Sequence, residues 1–154
     1  MAKPAHQHDL SVLSTSKHGM VFLTANDWAL IADKATCVDF KAGDTIIHRA
    51  KRNDGVYLII KGVAWVQVPG QADVPTIGPG EVCGEISFLD EQPATLNVVA
   101  KDAVEAYYLD RATLQTLFEL FPHLGSRFYH SLASSLSRRL RELIGRAAGS
   151  QGSG

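Results

Sequence analysis

From Cys37 onward the apolar residues recur with a period of two. Val38, Phe40 and Ala42 alternate with Asp39 and Lys41, and Gly43-Asp44 then turns the chain. A half-buried strand reads this way because successive side chains point to opposite faces of a sheet. Thr45 to His48 is a second run. Asn53-Asp54-Gly55 is a turn signal, and Val56 to Ile60 follows as a fully apolar run. Lys61-Gly62 ends it, Val63 to Val68 resumes, and Pro69-Gly70 opens a loop. Val74 to Ile77 is short and stops at Gly78-Pro79-Gly80; Thr95 to Ala100 and Val104 to Leu109 complete the set. About seven short strands with a turn between each pair predict a mainly β domain, either a sandwich or a β-roll.

At both ends the spacing becomes helical. Thr24 suits an N-cap, with Asp27 three residues on as its capping-box partner, and Trp28, Ile31, Ala32 and Ala35 form one apolar face. After Asp110, Leu114, Leu117, Phe118 and Phe121 mark a short amphipathic helix, and Pro122 permits a fresh start. Leu124, Phe128, Leu132, Leu136, Leu140 and Leu143 then recur mostly every four residues. Such a stripe suits packing on the chain's own sheet and also pairing with a second copy, so a homodimer through the 123–146 helix is expected. The domain is expected to span 21–148, between a polar arm at 1–20 and a flexible Gly/Ser tail at 149–154.

Composition narrows the class. With 154 residues, 45% of them apolar, the chain supports one core, and a net charge of -1 gives no overall pull towards nucleic acid or a membrane. Arg127, Arg138, Arg139, Arg141 and Arg146 make the last helix locally basic, a solvated or partner-docking face; DNA contact without an insertion element would be non-specific. The N-terminus lacks the apolar core of a signal peptide, and no apolar stretch nears the roughly 20 residues that span a bilayer. Cys37 and Cys83 form no CxxC, which favours buried thiols and a cytoplasmic location. His6, His8 and His18 lack an accompanying carboxylate or thiol cluster and read as solvated. A metal enzyme on a β-roll needs about three His and a carboxylate. His48 and Asp54 come without an HxH pair, and the next His residues, His123 and His130, fall on helices. Ser87 does not sit in a nucleophile elbow. A binding module is expected, not an enzyme.

The candidate chemistry lies in Ile77 to Ala100, IGPGEVCGEISFLDEQPATLNVVA. Gly84 to Leu89 reads as a tight turn into a single helical turn, whose first N–H groups can cradle an anion. Glu85 beside them suits a sugar hydroxyl better than a phosphate, since a carboxylate accepts hydrogen bonds.

Together these elements resemble the cyclic nucleotide-binding domain family over roughly residues 20–146. Phe40-Lys41-Ala42-Gly43-Asp44 matches its first turn, Tyr57-Leu58-Ile59-Ile60-Lys61-Gly62 its strand motif, and Gly84-Glu85-Ile86-Ser87-Phe88-Leu89 its phosphate-binding cassette. The resemblance implies a double-stranded β-helix, a jelly-roll-like β-roll with an N-terminal helix and a long C-terminal helix. It implies a regulatory sensor that binds cAMP, cGMP or another cyclic nucleotide without metal or cofactor, and signals through its last helix to a dimer mate or an unknown protein partner. Glu85 would accept from the ribose 2′-hydroxyl. Gly84, Ile86 and Ser87 would offer backbone donors, and Val74 and Val82 would line the base and sugar pocket.

Three departures stand out. The family's cassette carries an Arg that pairs with the cyclic phosphate, and here Pro93-Ala94-Thr95 places Ala94 there. A charge-assisted bond of this kind is worth roughly 1.5–3 kcal/mol, about 10- to 150-fold in affinity. Thr95 matches a Ser that also touches phosphate in bacterial activators, and Arg49, Arg52 or Arg139 could stand in for the charge. After Arg138-Arg139-Leu140, Leu143 takes the place of a Thr that meets adenine, so the purine edge loses a partner. The bacterial activators also continue into a helix-turn-helix, and nothing after Ala148 can build one. Two readings follow: a stand-alone sensor, or a degenerate domain of the same fold that serves dimerisation or protein interaction.

Overall fold

The run Val56–Ile60 has no polar face because the strand carrying it is covered on both sides. In the computed structural model, which describes residues 3–4, 19–72 and 74–152, that strand is β4 (Gly55–Lys61). Before it come β1 (Lys3–Pro4), α1 (Ala25–Lys34), β2 (Thr36–Phe40) and β3 (Thr45–Ile47). After it come β5 (Ala64–Gln67), β6 (Thr76–Ile77), β7 (Val82–Cys83), α2 (Glu85–Asp90), β8 (Asn97–Ala100) and β9 (Val104–Asp110). The helices α3 (Arg111–Leu120) and α4 (Pro122–Gly152) close the chain. One sheet has the order β1-β2-β9-β4-β7 and the other β3-β8-β5-β6, with antiparallel pairing throughout.

The five-stranded sheet separates two cores. Val56, Leu58 and Ile60 of β4 join Tyr107 and Leu109 of β9 on the helical side, against Trp28, Ile31, Leu114, Leu124, Phe128 and Leu132. The alternate residues, Ile59 of β4 with Val104 and Ala106 of β9, face Ile46, Ile47, Ala64, Ile77 and Val98 between the sheets. Alternation within each strand therefore serves two apolar faces at once. The architecture is the β-roll with helices at both ends.

The ends of the domain are tied together. Thr24 Oγ1 accepts from the Asp27 N–H at 3.1 Å, and Asp27 Oδ2 accepts from the Thr24 N–H at 3.0 Å, the capping box that the spacing predicts. Asp27 also accepts two hydrogen bonds from Arg127 of α4, at 2.6 and 2.8 Å. The Phe22 N–H donates to Ser131 Oγ at 3.0 Å, and the Phe22 ring stacks on His130 with centroids 3.7 Å apart. The first half of α4 is thus fixed to the α1 region, and Leu124, Phe128 and Leu132 are buried beneath it. The stripe then leaves the core: Leu140, Leu143 and Ile144 are 58%, 51% and 59% exposed.

Three expectations change. Lys3–Pro4, placed in a loose arm, pairs with β2 in the register Lys3↔Cys37 and Pro4↔Thr36, because the outer edge of β2 offers unpaired backbone groups. Val82–Cys83, absent from the expected set of strands, is a strand on the edge of β4. The helix α4 runs to Gly152, past Ala148, since an established helix gains one backbone bond for each residue added. The arm residues 5–18, with His6, His8 and His18, and the last two tail residues lie outside the described residues. Cys37 and Cys83 are buried and unbridged. No described helix is long and apolar enough to cross a membrane, and no cluster of three or more metal-ligating side chains occurs among the described residues.

Candidate functional site

The α2 helix begins at a residue that has to be glycine. Gly84 caps it with φ +86°, and a Cβ there would run into the side-chain amide of Asn53. A second left-handed residue, Glu91 at φ 59°, ends the helix, so α2 is a single excursion between β7 and β8. Phe88 anchors it. The ring is buried edge-on to Phe128 at 6.4 Å, and the Arg111 guanidinium lies 4.6 Å over its centroid. Arg111 also donates to the Phe88 carbonyl at 2.6 Å and pairs with Asp54 at 3.2 Å. Arg52 donates to the Glu91 carbonyl at 3.1 Å, where the helix's last carbonyls favour a cation.

At the other end, Glu85 is buried, with Ser87 one turn-face away and also buried. Arg139 crosses from α4 to reach Glu85 Oε1 and the Val82 carbonyl, each at 3.4 Å. Burial pushes the Glu85 carboxyl above its ordinary range, and the positive charge of Arg139 opposes that shift without cancelling it. A buried carboxylate with one long contact to its counter-charge and a bond from its own backbone N–H keeps spare acceptor capacity, which hydroxyl donors can fill. The adjoining Cys83 thiol is pushed up by burial and stays protonated.

The segment after α2 is held by backbone. The Ala50 N–H donates to the Ala94 carbonyl at 2.7 Å, and the Ala94 N–H donates to the Lys51 carbonyl at 3.1 Å. Ala94 is half-buried against the core between the sheets, and Thr95 beside it is exposed.

Comparison with known proteins places this geometry. The family described as the cyclic nucleotide-binding domain matches residues 37–120. This chain belongs to the cyclic nucleotide-binding domain family. Cyclic GMP-binding protein C of Dictyostelium discoideum is 28% identical over 125 residues, which is 79% of this chain and 5% of that protein. The cyclic AMP receptor protein of Thermus thermophilus is 31% identical over 107 residues, 67% of this chain and 48% of that protein. The chain therefore spans a small part of the first relative and about half of the second. The crystal structure of a cyclic nucleotide-binding domain from Methylobacillus flagellatus KT superposes with a TM-score of 0.77 at 20% identity, covering 92% of this chain and 81% of that one.

Within this cyclic nucleotide-binding domain, Gly84, Glu85, Ile86 and Ser87 share the entry to α2, and Arg139 joins them from α4. Thr95 sits on the returning segment, one residue past the Ala94–Lys51 pair. Val82 and Val74 part company. The Val82 side chain lies in the helical-side core, while its carbonyl meets Arg139. Val74 instead lines a cavity of about 480 Å³ with Arg49, Trp65, Gln67 and Asn97, and no residue from Gly84 to Ser87 borders it. Ile86, in the first turn of α2, has an exposed side chain. The sequence reading passed over Arg111 and Lys51. Arg111 lies 23 residues from the Phe88 carbonyl it braces, in no motif. The adjacency of Lys51 to Ala94 lies in no motif; it comes from a loop-to-loop backbone bond across 43 residues.

Proposed function

We propose that this chain is a cytoplasmic regulatory domain that binds a cyclic nucleotide such as cAMP or cGMP and passes the signal through α4. Glu85 takes the ribose hydroxyl. The backbone N–H groups of Gly84, Ile86 and Ser87, with Thr95, surround the phosphate, and Arg139 fixes the geometry of Glu85. The observation that carries this reading is the buried, incompletely paired Glu85 at the N-terminal turn of a helix that starts on a left-handed glycine. Because Arg139 links that acid to α4, a ligand that re-pairs Glu85 favours one position of α4 over another, which is the differential affinity a population shift needs. The exposed end of the leucine stripe, Leu140 with Leu143 and Ile144, then pairs with a second copy or a protein partner. The domain serves as a binding module and not a catalyst.

A second reading rests on Ala94. With no arginine in the cassette the domain keeps its fold as a dimerisation or protein-interaction module without canonical ligand binding. Calorimetric titration of protein freed of carried-over ligand with cAMP, cGMP and cyclic dinucleotides separates the two. Saturable binding that is lost in Glu85→Ala supports the sensor. No heat up to about millimolar ligand, a free energy weaker than about -4 kcal/mol, supports the scaffold.

A further inference from the structure

The cassette's missing charge and the loop facing it point to a relocated cation. This inference rests on the sensor reading above. The loop between β3 and β4 carries Arg49-Ala50-Lys51-Arg52, and it is stitched to the cassette's returning segment at one place. Ala50 donates to Ala94 at 2.7 Å and Ala94 donates back to Lys51 at 3.1 Å. Ala94 thus bonds two consecutive residues of the facing loop, a bulge-like pairing that sets Ala50 and Lys51 together opposite it. The turn is held at a cost: Ala50 adopts φ +68°, a left-handed conformation uncommon outside glycine.

Arg111 is held by the Phe88 carbonyl and Asp54, and of the other four cations near the cassette two have side-chain partners. Arg139 is engaged by Glu85 and the Val82 carbonyl. Arg52 caps α2 through the Glu91 carbonyl. Arg49 has only its backbone amide tied, to Asn97 Oδ1 at 2.7 Å, and it borders the cavity that Val74 lines, which no residue from Gly84 to Ser87 borders. Lys51 is exposed, and among the described residues its ammonium has no hydrogen-bond or ion-pair partner. We propose that Lys51 supplies the phosphate-neutralising charge that Ala94 does not, reaching the anionic phosphodiester of a cyclic mononucleotide from the facing loop. A lysine binds phosphate as a point charge, without the two-pronged geometry of arginine, so attraction is kept while directional selectivity is reduced.

The test is titration of cAMP and cGMP into the wild-type chain, Lys51→Met, Arg49→Met and the double variant Lys51→Met/Ala94→Arg, with thermal melting of each. Lys51→Met keeps the apolar stem and is expected to weaken binding at least about tenfold, the lower end for a charged hydrogen bond. It should also flatten the salt dependence of affinity, while Arg49→Met changes affinity by less than about threefold and the double variant recovers it. Unchanged affinity in Lys51→Met, or a larger loss in Arg49→Met, overturns the assignment of Lys51 and leaves the sensor reading standing. A wild-type chain that takes up neither nucleotide removes both.

Discussion

Two buried carboxylates each face an arginine of α4, and they are paired to very different degrees. Asp27 is 1% exposed and Glu85 is 5% exposed. Arg127 grips Asp27 with two short bonds of 2.6 and 2.8 Å, and the Thr24 N–H adds a third acceptor contact. Arg139 touches Glu85 once, at 3.4 Å. The fork of Arg127, outweighing the effect of burial, pulls Asp27 below its ordinary range; burial pushes Glu85 above its own. One pair is a closed joint between the two ends of the domain. The other is an acid kept out of water with acceptor capacity left over, which costs stability and suits a ligand.

Breaking the closed joint should have the largest effect. Arg127→Ala leaves Asp27 buried without its counter-charge, and a fall in melting temperature of roughly 5–10 °C is expected. A fall below about 2 °C would mean that water replaces the guanidinium freely and that the joint is not closed.

The open pair should respond to pH with the opposite sign. A depressed acid such as Asp27 stabilises the fold above its ordinary value of 3.8, and that contribution is lost as pH falls through its folded pKa. A raised acid such as Glu85 holds its proton longer when folded, so stability declines as pH climbs from its ordinary 4.5 towards the folded value. Glu85→Gln should therefore match the wild type near pH 4 and gain on it by roughly 1–3 °C in melting temperature near pH 7. A variant less stable than wild type at pH 7 would show that the Arg139 contact outweighs burial.

The smallest effect on the folded unit is expected further along α4, beyond both arginines. Leu143 is 51% exposed, so Leu143→Glu should move the melting temperature of the isolated domain by no more than about 1–2 °C. Light scattering should nevertheless show a wild-type dimer and a Leu143→Glu monomer. A monomeric wild type at high concentration sinks the dimer.

What could be read from the chain was local. Thr24 and Asp27 are three residues apart, so their capping box needs nothing beyond the helix they start. The period-two run of β2, the apolar run of β4 and the Gly84–Leu89 turn are equally short-range. β7 escaped notice because two residues carry no period; it exists as a strand only through Tyr57 and Leu58. Glu85 was legible from the cassette motif. Its burial was not, because the cover comes from α4.

The sequence by itself determined the strands other than β1 and β7, the two kinds of helix, the glycine that opens α2 and the loss of arginine at Ala94, since each depends on residues within a turn or a motif of one another. Tertiary structure alone decided which half of the leucine stripe is core, which acid is fully paired, and that Lys51 stands across from Ala94. Those facts depend on contacts between residues 43 to 100 positions apart, as in Lys51 with Ala94 and Asp27 with Arg127. Such contacts are set by how two sheets and a helix stack, and no local pattern encodes a stacking distance.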